Sequence, residues 1–172
     1  LSSYSVQPLN LNGQAMEPGA AAPATQERPG RRVLISSVSS DSHTWNLVFL
    51  QLLLEEMGHE VTNIGSCVPD ELLIEECRRV RPDLVVISSV NGHGALDGSR
   101  AVRRLRAQPD LRDLPVVIGG KLGVRGADAD SYGPELLAAG FDAVFEDGAG
   151  IAEFRRYVDT SARPELLTSG AR

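Results

Sequence analysis

In the stretch SSDSHTWNL (residues 39–47), Asp41 and His43 stand two positions apart, between a strand-like apolar run and a helix-like one. In an extended turn this spacing lets a carboxylate approach one imidazole nitrogen while the other stays free. That arrangement fixes the tautomer and strengthens the free nitrogen as a metal donor. The same spacing also suits Asp41 or Ser42 as a cap for the following helix, with His43 exposed in its first turn. The other candidate ligands narrow the choice of metal. His59 falls in the helix-to-strand turn EMGHEV, at the opposite end of the sheet from His43, and reads as an exposed turn residue. His93 follows a later strand and can face the same crevice as His43. Cys67 and Cys77 form no CxxC pairing, and a zinc site needs three or four ligands, so zinc is not supported.

The elements that must position this pair begin at Arg31. Strand-like runs are RRVLISS (31–37), EVTNIG (60–65), DLVVISS (83–89), PVVIGG (115–120) and DAVFE (142–146). Helix-like runs lie between and after them at 44–57, 69–81, 97–107, 134–139 and 149–158. Pro69 suits a first helical turn, Asp70 and Glu71 the positive end of that helix, and Arg78, Arg79 and Arg81 its negative end. Gly58 and Gly140 stand where helices should stop. Short Val/Leu/Ile runs bounded by turn residues suit strands buried on both faces. Five βα units therefore predict a doubly wound, flavodoxin-like (Rossmann-like) five-stranded parallel sheet in the order 2-1-3-4-5. Residues 1–30 are rich in Pro, Gly, Ala and Ser and lack an apolar period; they are expected to form a disordered leader. Residues 161–172 are expected to be a flexible C-terminal tail, leaving 31–160 as one domain.

In such a sheet, ligands bind outside the carboxyl ends of the strands, beside the switch point between strands 1 and 3. The loops there read SSDSHTWN, SSVNGHGALDG and GGKLGVRG. Gly92, Gly94, Gly119, Gly120, Gly123 and Gly126 permit left-handed backbone or let a ligand lie against main chain. Ser88 and Ser89 close strand 3 with hydroxyls. Three such loops together suit a large, flat or elongated ligand. A receiver domain would need an aspartate where Ser88 and Ser89 stand. A dinucleotide fingerprint would need G-x-G-x-x-G after strand 1, and a serine hydrolase a G-x-S-x-G elbow; neither string occurs. The net charge of −6 gives no basic footprint for nucleic acid. No apolar run nears the roughly 18 residues of a membrane span, and no secretory signal pattern opens the chain. A reduced, cytoplasmic setting is expected.

These residues resemble the cobalamin (B12)-binding domain family, whose pattern is D-x-H-x-x-G after strand 1, S-x-L after strand 3 and G-G after strand 4. The three appear here as Asp41-Ser42-His43-Thr44-Trp45-Asn46, Ser88-Ser89-Val90 and Gly119-Gly120. The likeness spans about residues 31–158. Asn46 stands for the glycine and Val90 for the leucine; asparagine tolerates left-handed backbone best among the non-glycine residues, and valine keeps the apolar character. Within the family, HEVTNIG, SSVNGHGALDG and VVIGGKLGV resemble the small subunits of glutamate (methylaspartate) mutases.

The resemblance implies base-off, His-on cobalamin. His43 is then the cobalt axial ligand, with Asp41 on its other nitrogen. Ser88 meets the dimethylbenzimidazole, Val90 packs near it, and Gly119 and Gly120 leave it room. Ser40, Ser42, Thr44, Ser89, Gly92, Gly94, Lys121, Leu122 and Gly123 complete the implied cofactor-binding set. Trp45 reads as a packing residue against the sheet or a partner, beside the ligand. The implied activity is an adenosylcobalamin-dependent carbon-skeleton isomerisation, with no catalytic residue in this chain. Its substrate site is expected on a larger (β/α)8-barrel subunit, a fold that takes roughly 250 residues. A corrinoid carrier for methyl transfer and a non-catalytic cobalamin-binding module are the alternatives.

Overall fold

Apolar side chains on both faces of the central strands force a three-layer arrangement. The computed structural model describes residues 30–124, 131–146 and 150–161, so nearly all of the expected leader and tail lie outside the described residues. In chain order the elements are β1 (Arg32–Ser36), α1 (Trp45–Glu56), β2 (Glu60–Asn63), α2 (Asp70–Val80), β3 (Leu84–Ser89), α3 (Gly94–Arg106), β4 (Val116–Gly120), α4 (Gly133–Ala139), β5 (Ala143–Glu146) and α5 (Gly150–Thr160). The five strands are all parallel, in the order β2-β1-β3-β4-β5. The fold is flavodoxin-like, as the alternation of runs implied.

Successive residues of a strand point to opposite faces, and the two cores divide along that line. Val33, Ile35, Leu84, Val86 and Val117 meet Leu47, Leu50 and Leu54 of α1 and Phe154 and Val158 of α5. Leu34, Val85, Ile87, Val116 and Ile118 meet Leu73, Ile74, Val102, Leu105 and Leu136 of α2, α3 and α4. Helix α1 therefore lies on one face of the sheet and α3 on the other. The loops after β1 and β3 part in opposite directions and open a crevice between them.

Local departures from the sequence reading have local causes. Helix α3 starts at Gly94, three residues earlier than expected. A Cβ at Gly94 would stand 2.8 Å from the Ser89 Cβ, so glycine here seats the helix against β3. Pro69 is the cap of α2, with extended ψ 149, one position before the first turn. Helix α2 stops at Arg81, which takes the left-handed conformation (φ 50) and donates its N–H to Cys77 O at 2.9 Å; Pro82 cannot continue a helix.

His59 is half-buried, where an exposed turn residue was expected. Its Nδ1 accepts the Arg31 N–H at 3.2 Å, and its Nε2 is buried without a partner. Burial first, and the Arg31 charge second, hold this imidazole below its ordinary value of 6.5, against the opposing pull of Asp159. The neutral ring is the folded form, so its stabilising contribution is complete above 6.5 and declines as pH falls below that value. Thermal melts across this range are expected to show the decline, and His59→Gln to flatten it.

Candidate functional site

Asp41 is the hub of the crevice. Its side chain is fully buried, and both carboxylate oxygens are used. Oδ1 accepts the His43 backbone N–H at 3.0 Å and lies 2.7 Å from His43 Nδ1. Oδ2 accepts the Val90 N–H at 2.6 Å and the Ser89 hydroxyl at 3.0 Å. The carboxylate thus ties the loop after β1 to the end of β3. Burial alone would raise its pKa. The hydrogen bonds from His43, Val90 and Ser89 outweigh that and hold it below the ordinary 3.8. The capping alternative does not hold: the cap of α1 is Thr44, with no side-chain cap hydrogen bond.

A carboxylate only accepts, so His43 Nδ1 donates to it, and in the neutral ring Nε2 keeps its lone pair. The His43 side chain is 48% exposed, and its Nε2 has no hydrogen-bond partner among the described residues. Among these residues no group of three or more His, Cys, Asp or Glu gathers for a metal, so His43 offers a single protein ligand. Cys67 lies against this loop, its N–H donating to Asp41 O at 2.8 Å. Burial pushes the Cys77 thiol up to about 12, which leaves it protonated.

A polar relay beneath the loop was not legible in the sequence. Ser40 Oγ donates to Asp97 Oδ2, and Asn91 Nδ2 donates to Ser40 O at 2.9 Å. Arg100 bonds Asp97 (2.5 Å), Asp70 (2.8 Å) and Ser39 (2.8 Å). Burial would raise the Asp97 pKa, and the bonds from Ser40 and Arg100 hold it low instead. The only available signal was the i, i+3 spacing of Asp97 and Arg100 on one helix.

Beside the hub, a cavity of about 230 Å³ runs between the sheet and helices α1 and α5. Ser88, Val90, Gly119 and Gly120 line it, together with Trp45, Asn46, Phe49 and Phe145. Gly120 has φ +107, and a Cβ there would stand 2.3 Å from Ser89 O; at Gly119 it would meet Phe145 O at 2.9 Å. Both glycines are therefore fixed by close backbone approach. Asn46 does not occupy the left-handed turn suggested for it. It lies in the first turn of α1, 5% exposed, and its Nδ2 donates to Ser88 Oγ at 2.8 Å.

The remaining sequence candidates divide. Ser42 and Thr44 are exposed on either side of His43, and Lys121 is exposed after β4. Gly92 has φ +82 and lies under Val124. Leu122 is buried in the core on the α3 face, and Gly123 abuts the Tyr132 ring. Trp45 does not pack on the sheet: it is 64% exposed.

Comparison with known proteins bears on the family and the fold. A family model described as the B12 binding domain matches residues 31–153. The glutamate mutase sigma subunit of Fusobacterium nucleatum is 28% identical over 123 residues, covering 72% of this chain and 90% of that one. The HTH-type transcriptional repressor CarA of Myxococcus xanthus is 35% identical over 97 residues, 56% of this chain and 32% of the repressor. Among solved structures, a cobalamin-binding protein from Desulfitobacterium hafniense superposes with a TM-score of 0.58 at 22% identity, covering 75% of this chain and 59% of that one.

Proposed function

This chain belongs to the B12-binding domain family, and on that premise we propose that it is the cobalamin-binding subunit of an adenosylcobalamin-dependent carbon-skeleton mutase of the glutamate (methylaspartate) mutase type. The residues present fit a corrinoid. His43 offers one lone pair backed by a buried carboxylate, two glycines floor the adjoining cavity, and a buried amide oxygen on Asn46 awaits a partner.

In this reading His43 Nε2 would hold the cobalt, and Ser88, Gly119 and Gly120 would line the space for the nucleotide tail. When bound, adenosylcobalamin supplies homolytic cobalt–carbon bond chemistry. The chain's own residues set the geometry for it. Asp41 holds the imidazole in the Nδ1–H tautomer and orients Nε2 as a metal donor. Ser89 and the Val90 N–H hold Asp41 in turn. The pairing of Asp41 with His43, leaving Nε2 free beside a glycine-floored cavity, is the observation that carries the assignment.

The substrate site is assigned to a larger (β/α)8-barrel partner. The relatives' name, sigma subunit, denotes one component of an assembly. Trp45, Leu96 and Val124, exposed by 64%, 74% and 80%, all follow carboxyl ends of strands and lie at the same end of the sheet as His43. They provide an apolar rim for docking. Leu96→Glu with Val124→Glu is expected to weaken partner assembly by tenfold or more while leaving the thermal melt unchanged, as sedimentation and calorimetry would read.

Ultraviolet–visible titration with hydroxocobalamin and adenosylcobalamin tests cofactor binding, and a base-off spectrum is the expected result. Mixing the loaded protein with a barrel-type mutase subunit and candidate amino-acid substrates tests turnover, read as a substrate-dependent radical signal. The likeness to a transcriptional repressor favours a second reading, a non-catalytic cobalamin module. Tight cofactor binding with no radical signal from any such pair would favour it.

A further inference from the structure

We infer that the outward face of α1 is a self-association surface, on which Trp45, Val48, Phe49 and Leu52 pack against the same four residues of a second, antiparallel copy of this chain. These positions are spaced i, i+3, i+4 and i+7, so they share one face of the helix. They are exposed by 64%, 50%, 47% and 62%. Leu47, Leu50, Leu53 and Leu54 fill the opposite face, toward the sheet. A helix apolar on both faces is normally buried on both, and the described residues cover only one face of α1. Val48 and Leu52 do not line the cavity beneath the helix, so whatever fills it leaves them bare. The stripe also runs down the side of the domain. Leu52 lies roughly 10 Å along the helix from Trp45, away from the end where His43 stands. That is a different direction from the rim assigned above to a barrel partner, which the stripe meets only at Trp45.

The area suits a second copy. The four side chains expose on the order of 400 Å² of apolar surface. Homodimer interfaces are roughly 65% apolar, so a patch built on this stripe covers about 600 Å² per copy, the lower end for a specific pair. Charge sets the orientation. Glu55 and Glu56 are exposed in the last turn of α1, the end its own dipole makes unfavourable for acids, and the first turn carries no acidic residue. A parallel pair would set four glutamates side by side. In an antiparallel pair centred on the stripe, Leu52 opposes Trp45 of the second copy and Val48 opposes Phe49. Glu55 and Glu56 then fall beside the other helix's N-terminus, where negative charge is favourable. The same patch serves both copies, as a two-fold dimer requires.

Sedimentation equilibrium of the full chain, without corrinoid, over about 1 to 200 μM tests this pairing. A reversible monomer–dimer equilibrium is expected, with the emission of Trp45, the sole tryptophan, shifting to the blue as the dimer forms. Leu52→Glu and Trp45→Lys are each expected to raise the dissociation constant about tenfold or more, and calorimetry to show both variants folded. Mixing the two variants should restore pairing in part. The introduced charges then oppose each other across the axis, while the second contact between Leu52 and Trp45 stays native. A monomer at every concentration, a dimer indifferent to Leu52→Glu or no recovery in the mixture would overturn the inference. In a monomer, emission already shifted to the blue would assign the stripe to a segment of its own chain. Loss of barrel-subunit binding in Leu52→Glu, with wild type monomeric, would assign it to that partner. None of these results touches the cofactor reading, which the hydroxocobalamin titration reports separately.

Discussion

Asp41→Ala is expected to lower folding stability by about 3 kcal/mol and to weaken cobalamin binding by tenfold or more. The substitution strands the Val90 N–H and the His43 N–H in a site where the carboxylate is fully buried, and leaves the Ser89 hydroxyl only Asn91 Oδ1, at 3.1 Å. Each unmet buried donor costs on the order of 1 kcal/mol or more, and solvent entering the crevice recovers part of that. Binding falls with stability because His43 loses the group that fixes its tautomer. Asp41→Asn separates the two effects. It keeps one acceptor oxygen and turns an N–H toward a donor, so it restores part of the stability and little of the affinity. The pH profile follows from the same bonds. The Asp41 pKa lies below 3.8 in the fold, so its contribution is complete above 3.8 and is lost as pH falls through the folded value. Chemical denaturation over the acid range should show that loss in wild type and a shallower one in Asp41→Ala.

His43→Ala is expected to do the opposite to the two observables. The ring is half exposed, and its one side-chain bond is to Asp41, so stability should change by less than about 1 kcal/mol. Cobalamin affinity should fall on the order of a hundredfold, beyond the loss seen when only a supporting group of a ligand is removed. Added imidazole should recover part of the base-off spectrum. A histidine serving only the fold would show the reverse, with a lower melt and unchanged cofactor affinity.

The fold was legible because the runs around Leu34, Val85 and Val117 are apolar at consecutive positions. Only a strand buried on both faces needs that, and only covering helices can provide it. The pairing of Asp41 with His43 was legible from spacing, although capping remained open until the loop geometry decided between them. What escaped the sequence was non-local. The second oxygen of Asp41 is held by Ser89 and Val90 from another strand, and no spacing rule connects those positions. The relay of Ser40, Asp97, Arg100 and Asp70 likewise joins three elements. Glycines were read generously as ligand space. Gly94 serves helix packing and Gly123 abuts Tyr132, whereas Gly119 and Gly120 do line the cavity. Asn46 was read two ways, inside the helix-like run 44–57 and, through a motif glycine, as a turn residue; the helical reading is the one that holds.

Electron paramagnetic resonance of the reduced cobalt(II) complex, prepared on protein whose histidines carry the heavy nitrogen isotope, addresses the assignment of His43 most directly. An axial nitrogen splits each cobalt line into a triplet when it is the common isotope and into a doublet when it is the heavy one. Doublets in the labelled protein, triplets in the unlabelled one and loss of that change in His43→Ala are predicted. Triplets from both preparations would mean that the cofactor's own base still holds the metal, and would contradict ligation by His43.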